Sequence, residues 1–170
     1  MFFKFLGLCA FLGAISLSTG FNVTSNLIEA PFVKIGSGYY YIENNLKKNW
    51  YAAYESCRRL KADLVTFESV EELDMVSQYI LNSKTDVMYW ASGTDLAEEG
   101  SHVWFSNGQP VYSDLWCPGQ PDNKDGGEHC DGLWFESETI GLNDGNCGML
   151  HCYICEATQP INCMQKHLMQ

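Results

Sequence analysis

Residues 49–69 read NWYAAYESCRRLKADLVTFES and contain the clearest structural signal in the chain. Trp50, Ala53 and Cys57 recur at intervals of three or four residues, which is the spacing of one face of a helix. The segment from Asn49 to Lys61 is therefore predicted to be a helix. Residues 62–65 (ADLV) are predicted to form a short extended piece.

A second helix is predicted immediately after this stretch. Ser69 followed by Glu72 forms a capping box, in which two side chains satisfy free backbone N–H groups at a helix start. The next apolar positions repeat with helical spacing, at Val70, Leu73, Val76 and Ile80.

Short strands are predicted on both sides of the helices. The segment GSGYYYIE, Gly36–Glu43, combines a glycine-rich turn with aromatic and β-branched residues. Strand-like segments after the helices are VMYWAS (87–92), HVWF (102–105) and CYICEA (152–157). A loop over about 106–127 is long for a compact domain, and such loops are usually functional or disordered. This order of elements predicts an α+β fold.

The N-terminal residues predict secretion. Residues 1–20 consist of one lysine, an apolar run and then small residues, which is the pattern of a secretory signal peptide. No later apolar stretch is long enough to cross a bilayer. Residues 21–34 are interpreted as a short N-terminal segment, and the sequon at Asn22 predicts glycosylation there. The protein is thus expected to be an extracellular glycoprotein.

Composition narrows the classes of partner. The formal net charge of the whole chain is -11, and Lys/Arg clusters are absent from its sequence. Nucleic acid and anionic lipid are therefore poor candidates as partners. The acidic surplus is either a solubilising surface or a resource for binding cations.

The cysteines also fit an oxidising compartment. Seven of the eight remain once Cys9 leaves with the signal peptide, and in a secreted chain they predict disulfides with one cysteine left over. Cys163 lies in the predicted tail, 158–170, and is either unpaired or bridged to a second chain in a dimer. Zinc binding by CGMLHCYIC (147–155) is the less favoured alternative. No histidine lies in a recognisable nucleophile motif, so an enzyme is not expected.

The long loop contains CPGQPDNKDGGEHC, residues 117–130. A linker, a zinc site and a site for a hard cation are all consistent with it. Acidic residues, asparagine and glycine are most often simple turn residues. The loop nevertheless collects the oxygen ligands that calcium prefers.

Four motifs together resemble the C-type lectin domain: AAYESCRRLKADLVTFES, PGQPDNKDGGEHC, LNDGNC and YICE. They occur in the order and at spacings compatible with that family, across about 36–156. The resemblance implies a domain over 35–157, with two helices, small antiparallel sheets, a long calcium-binding loop and disulfides. The chain is also similar to small secreted lectins of insects.

Disulfide pairing is among the features that the resemblance implies. The family pattern pairs Cys57 with Cys155, and Cys130 with Cys147. Cys117 and Cys152 are additional to the family pattern, and we predict that they pair and join the long loop to the final strand.

A calcium site that also holds sugar is implied in the same way. Its ligands for both calcium and carbohydrate correspond to Gln120, Asp122, Glu128, Asn143 and Asp144, and Pro121 is cis in the family. The Gln-Pro-Asp order is the one that goes with galactose-type sugars. Two differences from the family stand out: Asn123, Lys124 and Asp125 replace the aromatic residue common after this motif, and Leu142 replaces a tryptophan.

A second calcium site occurs in some family members. Asp95 and Glu99 have the corresponding spacing, with Asn123 and the shared Glu128 as possible partners. His129 stands where an acidic residue is expected.

The motifs and the resemblance therefore predict a secreted, calcium-dependent lectin for galactose or N-acetylgalactosamine glycans, and the resemblance suggests a role in innate immunity. The competing hypothesis is a lectin-like domain that binds a protein partner and dimerises through Cys163.

Overall fold

The chain is described by a computed structural model that covers residues 31–83, 85–136 and 139–158. The predictions for the signal peptide, Asn22 and Cys163 concern residues outside these ranges. Two α-helices are described: α1 Trp50–Arg59 and α2 Val70–Leu81. The eight described strands are β1 Val33–Ile35, β2 Gly38–Lys48, β3 Ala62–Leu64, β4 Met88–Thr94, β5 Val103–Trp104, β6 Cys130–Glu136, β7 Thr139–Gly145 and β8 His151–Ala157.

Helix α1 begins where the sequence predicts. The side chain of Asn49 accepts a hydrogen bond from the backbone N–H of Ala52, which caps the helix. The predicted helical face, with Trp50 and Cys57, is buried against the sheet. The helix ends before the predicted Lys61, because Lys61 has a φ of 58° and lies in the left-handed region.

Helix α2 is capped by Ser69, whose hydroxyl accepts from the N–H of Glu72 at 3.2 Å. The reciprocal half of the predicted capping box differs. The carboxylate of Glu72 accepts from the N–H of Glu68 at 2.8 Å and from the hydroxyl of Tyr40 at 2.5 Å. Glu72 therefore joins the start of α2 to β2 instead of closing the box on Ser69.

One connected sheet forms the rest of the domain. Its strand order is β1-β2-β8-β4-β6-β7, with β3 on β8 and β5 on β4. The expected antiparallel pairs are present, but β4 and β8 are parallel neighbours. A parallel pair needs a long crossover connection, and the segment between β4 and β8 supplies one. The sheet also begins earlier in the chain than predicted. Val33 of β1 lies inside the expected N-terminal segment, 21–34, and pairs with Tyr40 of β2.

Two of the predicted disulfides are confirmed. Cys57 on α1 is bonded to Cys155 on β8, with a sequence separation of 98 residues. Cys130 at the start of β6 is bonded to Cys147, with a separation of 17 residues. The first bridge fixes α1 to the sheet, and the second closes the region around the end of the long loop.

The predicted Cys117–Cys152 pairing is wrong. Both thiols are free and buried. From Cys152 on β8, the paired residues across the sheet are Tyr89 on β4, Leu133 on β6 and Leu142 on β7. The N–H of Cys117 donates to the carbonyl of Leu142, so Cys117 lies one step further still. Four interstrand spacings of about 4.8 Å therefore separate the two cysteines. A disulfide requires Cα atoms within about 7 Å.

None of the helices in the described ranges has the length and apolar character needed to span a membrane.

Candidate metal and ligand site

Three carboxylates converge where the long loop meets the end of β7. Asp122, Glu128 and Asp144 each contribute an oxygen atom, and these atoms lie within 4.8 Å of one another. We refer to these three residues as the acidic cluster. Asp144 is fully buried, whereas Asp122 is exposed.

Backbone N–H groups of the loop donate to two of these three carboxylates, Asp144 and Glu128. Asp144 accepts from the N–H of Asp122 at 3.1 Å and from that of Asn123 at 2.8 Å. Glu128 accepts from the N–H of Lys124 at 3.2 Å. The Gln120–Pro121 peptide bond is cis, as the resemblance implies. The loop is thus folded around Asp144, the carboxylate at the end of β7.

The two predicted amide ligands flank the acidic cluster. The Oε1 atom of Gln120 is buried and has no hydrogen-bond partner among the described residues. Such an orphaned acceptor is costly unless another group satisfies it. Asn143 donates from Nδ2 to the backbone carbonyl of Asp144 at 2.7 Å. All five predicted ligands line one cavity of about 450 Å³.

The electrostatics of the acidic cluster favour a bound cation. Burial raises the pKa of Glu128, and the negative charges of Asp144 and Asp122 raise it further. The donor set consists of carboxylate and amide oxygens, with no thiolate or imidazole. This chemistry suits a hard cation such as calcium better than zinc.

The predicted second calcium site has a different arrangement. Asn123 donates from Nδ2 to Glu99 at 2.8 Å, and its Oδ1 accepts from the N–H of Glu128 at 3.0 Å. Three of the four predicted residues are therefore neighbours, but they satisfy one another directly. Asp95, the fourth, is not in the group of carboxylates that converges within the described residues.

Asp95 is instead surrounded by histidines. His129 Nδ1 lies 2.9 Å from one carboxylate oxygen, and His102 Nε2 lies 3.6 Å from the other, which also accepts from the N–H of Gly100. Burial opposes ionisation of Asp95, but these hydrogen bonds and the nearby histidines lower its pKa overall. Imidazoles thus stand beside the carboxylate that a second cation would need.

His102 also contacts a second buried carboxylate, Asp131, which the sequence analysis did not identify. Asp131 lies opposite Asp144 in the register of β6 and β7, and His102 Nδ1 lies 2.9 Å from it. Burial raises the pKa of Asp131 to about 6, although His102 partly offsets this effect. Burial opposes charge on His102 as well, but the hydrogen bond and charge of Asp131 raise its pKa overall.

The hairpin of β6 and β7 was not predicted either, although it supplies much of the cavity. Its sequence signal is the alternation of buried Leu133 and Phe135, with Trp134 between them on the opposite face. Trp134 is only partly buried and lines the same cavity as the acidic cluster.

Known proteins resemble the chain in both sequence and structure. A family model described as Lectin C-type domain matches residues 46–157. C-type lectin 37Da of Drosophila melanogaster is 45% identical over 145 residues, which cover 81% of this chain and 76% of that protein.

Solved structures share the fold. The carbohydrate-recognition domain of the mouse scavenger receptor C-type lectin has a TM-score of 0.66 and 27% identity, covering 78% of this chain and 98% of that one. Herring type II antifreeze protein has a TM-score of 0.63 and 26% identity, covering 77% and 98%. Since one neighbour is an antifreeze protein, the fold alone does not identify a ligand.

Proposed function

The chain belongs to the C-type lectin family, and from this premise we propose that it is a secreted lectin that binds carbohydrate through calcium at the acidic cluster. One observation carries the proposal: three carboxylates converge in a cavity that Gln120 also lines, and the buried Oε1 of Gln120 has no hydrogen-bond partner among the described residues. Such a set of oxygens has the chemistry of a calcium site. The names of the lectin relatives agree with carbohydrate as the ligand.

The same side chains would coordinate calcium and form hydrogen bonds with the bound sugar. When bound, calcium would supply coordination positions for two neighbouring sugar hydroxyls. Gln120 and Asn143 carry amide groups that can also donate to a sugar hydroxyl. The carboxylates of Asp122 and Glu128 can accept hydrogen bonds from it.

The order of amide and acid suggests the preferred sugar. Gln120 precedes Asp122, so the donor and the acceptor occupy the order that the family associates with galactose-type hydroxyl pairs. We therefore propose galactose and N-acetylgalactosamine glycans as the preferred ligands. Asn123, next to this pair, is not aromatic.

A role in innate immune recognition of microbial or host glycans follows from this proposal. A single-sugar site is weak, about millimolar in Kd. Useful avidity then requires several copies of the lectin or a multivalent glycan surface. The proposal involves binding without chemical turnover of the sugar.

A glycan array probed in calcium and in chelator tests the proposal. Binding to galactose-terminated glycans in calcium, lost in chelator and in Asp122→Ala, is the expected result. Asp114→Ala is the matched control, because Asp114 is exposed in the same long loop but lies outside the acidic cluster.

Sugar binding that persists in chelator would contradict the proposed mechanism. An array without signal, together with a covalent dimer on a non-reducing gel, would favour the competing hypothesis of a protein partner.

A further inference from the structure

The cavity extends well beyond the acidic cluster. Asp144 lines it at one end of β7, and Thr139 and Glu136 line it at the other. Five residue steps separate Thr139 from Asp144, which corresponds to about 17 Å along an antiparallel strand. The pairing of β6 with β7 is continuous over this length. One sugar held at the acidic cluster would leave the far end of the cavity open.

The floor between the two ends is apolar. Trp134 lies opposite Gly141, which contributes no side chain, and next to Met88 of β4. The sulfur of Cys117 packs at Gly141, where an added Cβ would lie 3.0 Å from it. At Gly132, the methyl group of Met88 occupies the space that a side chain would need, since an added Cβ would lie 2.7 Å from it. The two glycines therefore let Cys117 and Met88 pack closely beside the partly exposed indole.

The position of Trp134 fits a second sugar ring. Its partner Gly141 precedes Asn143 by two residues, which is about 7 Å along the strand. A ring linked to the sugar at the acidic cluster would reach this distance. Pyranose rings have an apolar face of C–H groups, and aromatic side chains offer a large apolar surface for such a face.

We propose that Trp134 is the floor of a second sugar subsite, so that the chain recognises a disaccharide rather than a single terminal sugar. This inference rests on the proposed function, because the first sugar is held at the acidic cluster. In this chain the Gln-Pro-Asp motif is followed by Asn123 and not by the aromatic residue that is common there in the family. In the proposed role, Trp134 on β6 provides an aromatic surface instead.

The charges around the subsite favour an uncharged second sugar. Glu136 accepts from the indole N–H of Trp134 at 3.3 Å, and its carboxylate is exposed at this end of the cavity. It can accept a hydrogen bond from a sugar hydroxyl, but it repels a sulfate or a carboxylate. Among the lysines that the structure describes, Lys124 lines the cavity, and it lies on the loop beside the acidic cluster.

Paired sugar titrations of the full chain in calcium test this inference. Affinities are measured for methyl β-galactoside and lactose, and for methyl α-mannoside and a mannose disaccharide. The second pair makes the test independent of the preferred hydroxyl geometry. For at least one pair, the disaccharide is expected to bind about tenfold more tightly, a difference of about 1.4 kcal/mol.

Three variants locate the effect. In Trp134→Ala, the ratio of monosaccharide Kd to disaccharide Kd is expected to fall to about one, whereas Trp134→Phe should retain most of it. Tyr79→Ala is the control, because Tyr79 is an exposed aromatic residue on α2, outside the cavity. Its ratio should match that of the original chain.

Equal affinity for both members of each pair would overturn the subsite, as would a ratio of about ten that persists in Trp134→Ala. If no monosaccharide binds in calcium, the proposed function itself fails and the subsite fails with it. The two failures are distinguishable because the monosaccharide titrations report on the acidic cluster and the ratio reports on Trp134.

Discussion

Gln120 and Asp122 differ in what they can offer a sugar hydroxyl, although we propose that each supplies one oxygen ligand to calcium. The amide of Gln120 can donate a hydrogen bond, whereas the carboxylate of Asp122 can only accept one. We therefore propose that their order along the loop determines which pair of sugar hydroxyls fits the site.

Exchanging the two groups, in the double variant Gln120→Glu and Asp122→Asn, keeps the number of ligands and the total charge. We expect the preference to move from galactose-like to mannose-like sugars, with the ratio of the two affinities changing by at least about tenfold, or 1.4 kcal/mol. Competition by methyl galactoside and methyl mannoside measures this ratio. An unchanged preference would show that another part of the cavity selects the sugar.

Glu156 is a second residue whose environment makes a measurable prediction. It is partly buried on β8, and its carboxylate accepts from the N–H of Thr66 at 3.3 Å. Burial, followed by the negative charges of Glu72, Glu68 and Asp63, raises its pKa from 4.5 to about 7. The folded chain thus keeps a proton on Glu156 that the unfolded chain loses at lower pH.

Stability contributed by Glu156 is therefore present below pH 4.5 and is lost as the pH rises to about 7. The variant Glu156→Gln removes this titration and retains an acceptor for Thr66. In chelator, thermal unfolding of the original chain should show a larger loss of stability between pH 5 and pH 8 than the variant, by roughly 1–3 kcal/mol. Parallel pH profiles for the two proteins would contradict the assignment.

At the scale of elements, local signals explain what could be predicted. Each helix is capped by a side chain, Asn49 or Ser69, which accepts a hydrogen bond from the backbone N–H three residues later. The hairpin of β6 and β7 was missed because glycines and buried aspartates interrupt its apolar alternation. Asp131 and Gly132 are unusual residues for a buried strand, and their positions depend on partners distant in the sequence.

The two disulfides should differ in their effect because they close loops of different length. The separations are 98 residues for Cys57–Cys155 and 17 residues for Cys130–Cys147. In the chain-entropy model these correspond to about 4–5 kcal/mol and about 3 kcal/mol of stabilisation.

Urea unfolding of the paired variants Cys57→Ala/Cys155→Ala and Cys130→Ala/Cys147→Ala measures both contributions. We expect the first pair to lose more stability than the second. The reverse order would mean that packing around Cys130 and Cys147, rather than loop length, determines their importance.

At the scale of the whole molecule, the order of strands determines which cysteines can meet. Counting cysteines predicted a bridge between Cys117 and Cys152, but the sheet places β4, β6 and β7 between them. Sheet order is a long-range property that no local pattern in the sequence contains. The same limit explains why Trp134 and the His102–Asp131 contact were missed, whereas the motif order was sufficient to predict the family and its fold.

Thiol mapping tests this arrangement. In the folded chain, iodoacetamide should label neither Cys117 nor Cys152, because both are buried. After denaturation without a reductant, both should be labelled, whereas Cys57, Cys155, Cys130 and Cys147 should remain protected. A cross-linked peptide containing Cys117 and Cys152 would contradict the described sheet.

The central claim is that the acidic cluster holds calcium and, through it, a sugar. Calorimetric titration of methyl β-galactoside into the full chain, first in calcium and then in chelator, tests it most directly. We predict saturable binding with a Kd of about 1 mM in calcium and no measurable binding in chelator. Equal binding in both buffers would contradict the claim, as would the absence of binding in calcium.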